Sequence, residues 1–332
     1  MREPVFLKRN KDKWLTYEAE LSEDTPEPEA DRLAELYVEL TDDLAYARTF
    51  YPRSKIVKYL NGLAARTHLL IYRNKKERKQ RLGIFWTREL PLINWEARRF
   101  FFYSFLIFTV SFLIGLISTI KDQEFVRVIL GDAYVNMTIE NIKNGNPLGV
   151  YGSMAQWEMF FVIAFNNLLV MLQIYAIGIT FSIGTVIGFP GWVSGIFQNG
   201  VMVGAFLGFF QQYNLFWEAV PIVYIHGTLE LSALVLGGGA GLMLGNSLLF
   251  PGTYTRLQSL QFAARKSVKI MVGLVPIIIL AAFLESFVTR LTQMPLIIKL
   301  LIIIASLGFI VGYYILYPYH LSKIHTAHSG IQ

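Results

Sequence analysis

The sequence predicts an all-α fold: a polytopic transmembrane helix bundle of about six spans, five being the alternative, with an N-terminal cytoplasmic helical domain. Three observations carry this. The chain has 332 residues, of which 54% are hydrophobic and only 16% charged, against about 45–50% and 25% in soluble proteins. The charge is concentrated at one end, since residues 1–99 hold 20 of the 30 Lys and Arg and 16 of the 24 Asp and Glu. The remaining stretch contains apolar runs of membrane-spanning length.

Residues 1–99 read as a helical arm that ends in an in-plane approach helix. Positions 6–20 have helical composition and stop before the Thr25-Pro26-Glu27-Pro28 break. Leu33, Leu36, Tyr37, Leu40, Leu44, Ala47 and Tyr51 then recur at three- and four-residue steps, and Pro52 ends the stripe. Ser54 can cap a third helix with Ile56, Leu60, Leu63, Thr67 and Leu70 along one side. Two stripes joined by a short turn predict an antiparallel hairpin. An arm of this size makes a marginal core, so the 33–51 stripe is the expected partner-binding face. A basic run over 73–81 precedes Trp86, Trp95, Arg98 and Arg99, which fit a segment lying on the membrane surface.

The bundle is expected over 100–317, with spans near 100–120, 160–189, 191–212, 215–250, 271–289 and 295–317. The first covers roughly 32 Å as a helix, enough to cross. No segment of signal-peptide character precedes it, so it is expected to serve as both targeting signal and anchor. Gly188-Phe189-Pro190-Gly191 divides the second run from the third. The fourth is too long for one straight crossing. Segment 121–159 carries Asp122, Glu124, Asp132, Glu140 and Glu158, whereas 251–270 carries Arg256, Arg265, Lys266 and Lys269 with no acid. The positive-inside rule therefore places 1–99, 251–270 and the tail 318–332 in the cytoplasm and 121–159 outside. Segment 251–270 reads as an amphipathic helix on the inner leaflet. Arg290 and Lys299 on the expected outer end of the last hairpin keep five spans open.

Ionisable side chains inside a bilayer are costly and therefore candidates for function. His226 and Glu230 lie four apart on one helix face, Glu285 lies in a later span and Glu218 nearer an end. Asn166, Asn167, Gln198 and Asn199 are expected to join them in a buried polar cluster. The residues leave four readings open: a register-fixing network, a proton or ion site, a metal site, or a hydrolytic site. The chain has no H-E-x-x-H, no G-x-S-x-G and no cysteine, so the zinc-protease, serine-hydrolase, disulfide and thiolate templates fail, and neither catalytic residue, metal nor cofactor is expected. Gly200, Gly204 and Gly208 form one small-residue ridge and Gly237, Gly241 and Gly245 another. Close helix packing is the economical reading, and a helix broken around Gly237-Gly238-Gly239 the alternative. Positive charge beside a first span has a membrane explanation, so nucleic acid is not an expected partner.

Taken together, Leu130-Gly131-Asp132-Ala133-Tyr134, Asn166-Asn167, Gln198-Asn199-Gly200, His226-Gly227-Thr228-Leu229-Glu230, Phe250-Pro251-Gly252-Thr253-Tyr254 and Leu274-Val275-Pro276 with Glu285 resemble the stage II sporulation protein M family. The likeness is strongest from about 126 to 290. It implies a multi-pass protein of the bacterial cytoplasmic membrane that anchors and recruits partners rather than catalysing. The partners it implies are envelope hydrolases or an AAA-type ATPase assembly, with a homo-oligomer also expected. A small-solute or ion permease using the Asn/His/Glu cluster is the competing reading.

Overall fold

The computed structural model describes residues 2–21, 30–72, 77–149, 155–188, 195–291 and 293–329. The Thr25-Pro26-Glu27-Pro28 break, the first part of the 73–81 basic run and Phe189-Pro190-Gly191 lie outside the described residues. All regular structure among those described is helical, and the chain divides into two units, Met1–Gly83 and Ile84–Gln332. The boundary therefore falls earlier than position 99. The physical reason is burial: Leu90, Ile93 and Ala97 are core residues of the second unit.

The first unit holds α1 (Glu3–Glu20), α2 (Ala30–Phe50) and α3 (Lys55–Tyr72). The 33–51 stripe does not face outward. Leu33, Leu36, Leu40, Leu44 and Ala47 pack with Phe6, Trp14, Leu60 and Leu63 in the unit's own core, because α1 supplies the third wall that a two-helix hairpin lacks. Polar tips are satisfied at the rim: Trp14 Nε1 donates to Asp43 (2.8 Å), Tyr59 to Glu18 (2.9 Å) and Ser54 to Glu3 (2.6 Å).

In the second unit, α4 (Glu77–Ile84), begun in the first, passes through a wide turn at Phe85–Glu89 into α5 (Leu90–Lys121). Short α6 (Gln123–Leu130) and α7 (Asp132–Lys143) follow, then α8 (Gln156–Ala176) with a tight turn, Ile177–Ile179. Next come α9 (Ile183–Ile187), α10 (Ile196–Gln212), α11 (Phe216–Leu249) and α12 (Arg256–Phe283), the last extended by a wide turn, Leu284–Thr289. The chain closes with α13 (Leu296–Val311), a wide turn at Gly312–Leu316, and α14 (Tyr317–Ser329).

Among the described residues, five helices are long and apolar enough to cross a membrane: Arg81–Lys121, Gln156–Ile179, Phe216–Leu249, Arg256–Thr289 and Leu296–Ile324. Phe105, Leu113, Phe161, Phe165, Leu172, Leu301 and Ile304 are exposed on them, and such an outer surface is compatible with lipid rather than water. The sixth, α10, has 17 residues, the lower limit for a crossing. It runs beside α5, and what brings the two together is glycine. A Cβ at Gly204 would strike the Phe112 carbonyl, and one at Gly115 the Val201 carbonyl.

Several expected boundaries move. The approach segment is the start of the continuous helix Arg81–Lys121, not a separate in-plane helix. Lys269 pairs with Glu89, and Tyr313 donates to the Trp86 carbonyl at 2.6 Å, which hold that start against the bundle. Segment 251–270 is likewise the first half of α12, opened by a capping box in which Thr255 and Gln258 bond reciprocally. The second apolar run ends as a long helix at Ile179, because Phe181 and Ser182 adopt positive φ. Helix α11 is unbroken through Gly237-Gly238-Gly239. Those glycines serve contact: Gly238 faces Ser104 and Ile196, and Gly239 faces Phe101. The tail continues as α14.

Candidate functional site

His226 and Glu230 sit one turn apart on α11, with Glu285 opposite them in the last turns of the α12 helix. One ligand atom from each lies within 4.8 Å of the other two. The imidazole is 6% exposed, and the two carboxylates are half-buried. His226 Nδ1 shares a 3.0 Å hydrogen bond with the Thr289 hydroxyl, while Nε2 lies 3.9 Å from Glu285. A hydrogen bond on one ring nitrogen orients the ring and leaves the other to face the carboxylates. Position 226 is about 15 Å along α11 from its start, so the cluster lies in the half of the bundle near α6 and α7.

Of the expected amides, the structure brings Asn167 to this place and not the others. Asn167 stands beside Glu230, its buried Nδ2 short of hydrogen-bonding geometry. Asn166 is exposed on the outer face of α8, its amide 3.4 Å from the Asn167 oxygen. Asn199 donates its amide N–H to the Gly195 carbonyl at 2.9 Å, within the first turn of α10, and Gln198 is exposed. The neighbouring Ile196 packs on Gly238, two turns along α11 from Glu230. The Asn199 side chain is spent on a carbonyl four residues back in its own helix, which accounts for the separation. Thr289 was not foreseen, although its place four residues after Glu285 puts both on one helix face.

The glycine ridges divide by partner. Gly200, Gly204 and Gly208 face Ser111, Phe112 and Thr119 of α5. Gly237 faces Met171 of α8, Gly241 faces Ile174 and Thr185, and Gly245 meets Ser182. Both ridges set close approach between helices, and neither lines the cluster.

Chemically, two carboxylates this close in apolar surroundings repel unless a proton or a cation lies between them. With His226 they offer three ligands of the types that hold a divalent cation, short of the four of a closed tetrahedral site. The model of the family described as Stage II sporulation protein M matches residues 104–290. The chain belongs to the stage II sporulation protein M family. His226, Glu230 and Glu285 all fall inside the part that makes it a member. A second model, Domain of unknown function (DUF8413), matches residues 4–73, within the first unit. No curated protein and no solved structure matches the chain.

Proposed function

We propose that this multi-pass membrane protein is a non-enzymatic scaffold of the bacterial cytoplasmic membrane, which recruits or organises partner proteins in cell-envelope remodelling. The observation that supports it best is the division of labour in the chain. A three-helix unit with its own apolar core precedes a membrane unit whose helices are joined by glycine contacts. A separately cored module on a membrane anchor suits protein recruitment. Envelope hydrolases or an AAA-type ATPase assembly are the partners that the resemblance implies. The basic end of the bundle, with Arg98, Arg99, Arg256 and Arg265, faces the cytoplasm in this reading. A second copy would give exposed Asn166 a polar partner within the membrane.

The test is co-purification from mild detergent, comparing the full chain with one lacking residues 1–83. The full chain should bring down a stable protein partner that the truncated chain loses. Retention of every partner by the truncated chain would overturn recruitment through the first unit, and absence of any partner would overturn the scaffold itself. The His226, Glu230 and Glu285 cluster favours one other reading, a proton- or cation-coupled permease. Under that reading Glu230→Gln would leave folding and partner binding intact yet abolish complementation.

A further inference from the structure

Between α5, α11 and α13 the apolar surface of the second unit is grooved. The groove has a volume of about 680 Å³, within the range of about 300–1,000 Å³ typical of ligand sites. Phe101, Phe105, Phe108, Leu231, Val235 and Leu307 line its walls. It runs along α5 from position 94 to position 112, roughly 27 Å of helix, close to the hydrocarbon thickness of about 30 Å. The threonine and serine hydroxyls along it are already spent: Thr109 donates to Phe105, Thr228 to Tyr224 and Ser232 to Thr228, all on carbonyls of their own helices. The middle of the groove therefore offers a guest only apolar surface.

One end differs. Asn94 lines the groove, is 1% exposed, and has neither amide atom hydrogen-bonded. A buried amide with both its donor and its acceptor unmet calls for a partner that supplies both. One turn further on, Arg98 is exposed, and its guanidinium stacks 4.2 Å from the Trp95 ring centre. It gives one N–H to the Trp95 carbonyl at 2.7 Å, and a guanidinium has five donors. Trp95 in turn packs on Tyr319, with ring centres 5.4 Å apart. An aromatic and basic rim above an apolar trough is the chemistry of a membrane interface.

We propose that this groove is a binding site for one anionic glycerophospholipid of the leaflet at the basic end of the bundle. An acyl chain lies along the trough, the phosphate meets Arg98, and the hydroxylated headgroup meets Asn94. The amide N–H donates to a phosphate or ester oxygen, and the amide oxygen accepts from a headgroup hydroxyl. Phosphatidylglycerol supplies both. Phosphatidylcholine carries no net negative charge and no headgroup hydrogen-bond donor, so it leaves the amide oxygen unmet.

The experiment is native mass spectrometry of the full chain in mild detergent, exchanged against phosphatidylglycerol or phosphatidylcholine. The wild-type chain should retain one phosphatidylglycerol in clear preference to phosphatidylcholine. Arg98→Gln and Asn94→Leu should each lower that retention about tenfold. Leu307→Trp, which fills the trough far from the headgroup, should lower retention of both lipids. Arg98 and Leu307 are exposed, so these two variants decide the matter even where Asn94→Leu fails to fold. Equal retention of the two lipids by the wild type, or undiminished phosphatidylglycerol in Arg98→Gln, would overturn the proposal.

Discussion

Glu230 shows how a single side chain in this protein serves packing and chemistry together. It stands between His226 and Asn167 and faces Glu285. Glu230→Gln keeps the shape and the hydrogen-bonding capacity, so its detergent melting curve should stay near the wild type. Glu230→Leu strands polar neighbours in apolar surroundings and should cost roughly 1–3 kcal/mol. A Leu variant that melted with the wild type would show that the cluster has no structural role. In the first unit, Tyr59 gives a pH-dependent counterpart. Burial, then its hydrogen bond to Glu18, pushes its phenol up to about 12, against about 10 in an unfolded chain. The folded value is the higher one, so the stabilisation is whole below about pH 10 and is lost as pH rises towards 12. Phenolate absorbance of the full chain should show a late step in that window, and Tyr59→Phe should lower its amplitude by one phenol. A titration unchanged by Tyr59→Phe would refute the assignment.

The seam between α5 and α10 is the clearest case at the level of elements. Gly200, Gly204 and Gly208 repeat every four residues, a spacing plain in the sequence. Their partner was not plain, because ridge spacing carries no address. The structure supplies it: α10 runs in the same direction as α5, Gly200 against Phe108 and Ser111, Gly208 against Leu116 and Thr119. Gly204→Leu should therefore force the two helices apart and destabilise the bundle by about 1–3 kcal/mol or more. Gly308 has open space where a methyl would go, so Gly308→Ala should be neutral or slightly stabilising, as expected of a helical glycine. Detergent melting of both variants checks the contrast, and equal effects would mean that the seam is not what joins α5 to α10. Ion pairs at the basic end, such as Lys266 with Glu96, are exposed on both sides, and surface pairs of this kind contribute about 0–1 kcal/mol.

For the whole molecule the open quantity is how often the chain crosses. Among the described residues, the three longer helices α8, α10 and α11, with the five-residue α9 between the first two, separate Asn144 from Ser259. If the 17-residue α10 crosses along with the others, those two positions lie on opposite sides of the membrane. Single cysteines at Asn144 and Ser259 can be labelled without interference, as the chain has no cysteine of its own. Reagent applied from one side should label one position only, and labelling of both from the same side would reduce the count to five.

The membrane class of this protein, its all-α content and its family were legible in the sequence alone. They depend on quantities local to a segment: the length of an apolar run, the spacing of small residues, and the His226-Gly227-Thr228-Leu229-Glu230 element. Which polar residues meet was legible only in part. His226 and Glu230 share a turn, and helical periodicity is enough to pair them, whereas Asn199 and Gln198 belong to another end of the bundle. Helix limits inside the long runs were also hidden. Hydropathy averages over a window, and neither the positive φ at Phe181 and Ser182 nor the unbroken course of α11 through three glycines changes that average. Tertiary structure decided the rest, because burial depends on the facing element: the 33–51 stripe was closed by α1, and Asn94 was left beside a groove that only α5, α11 and α13 together create.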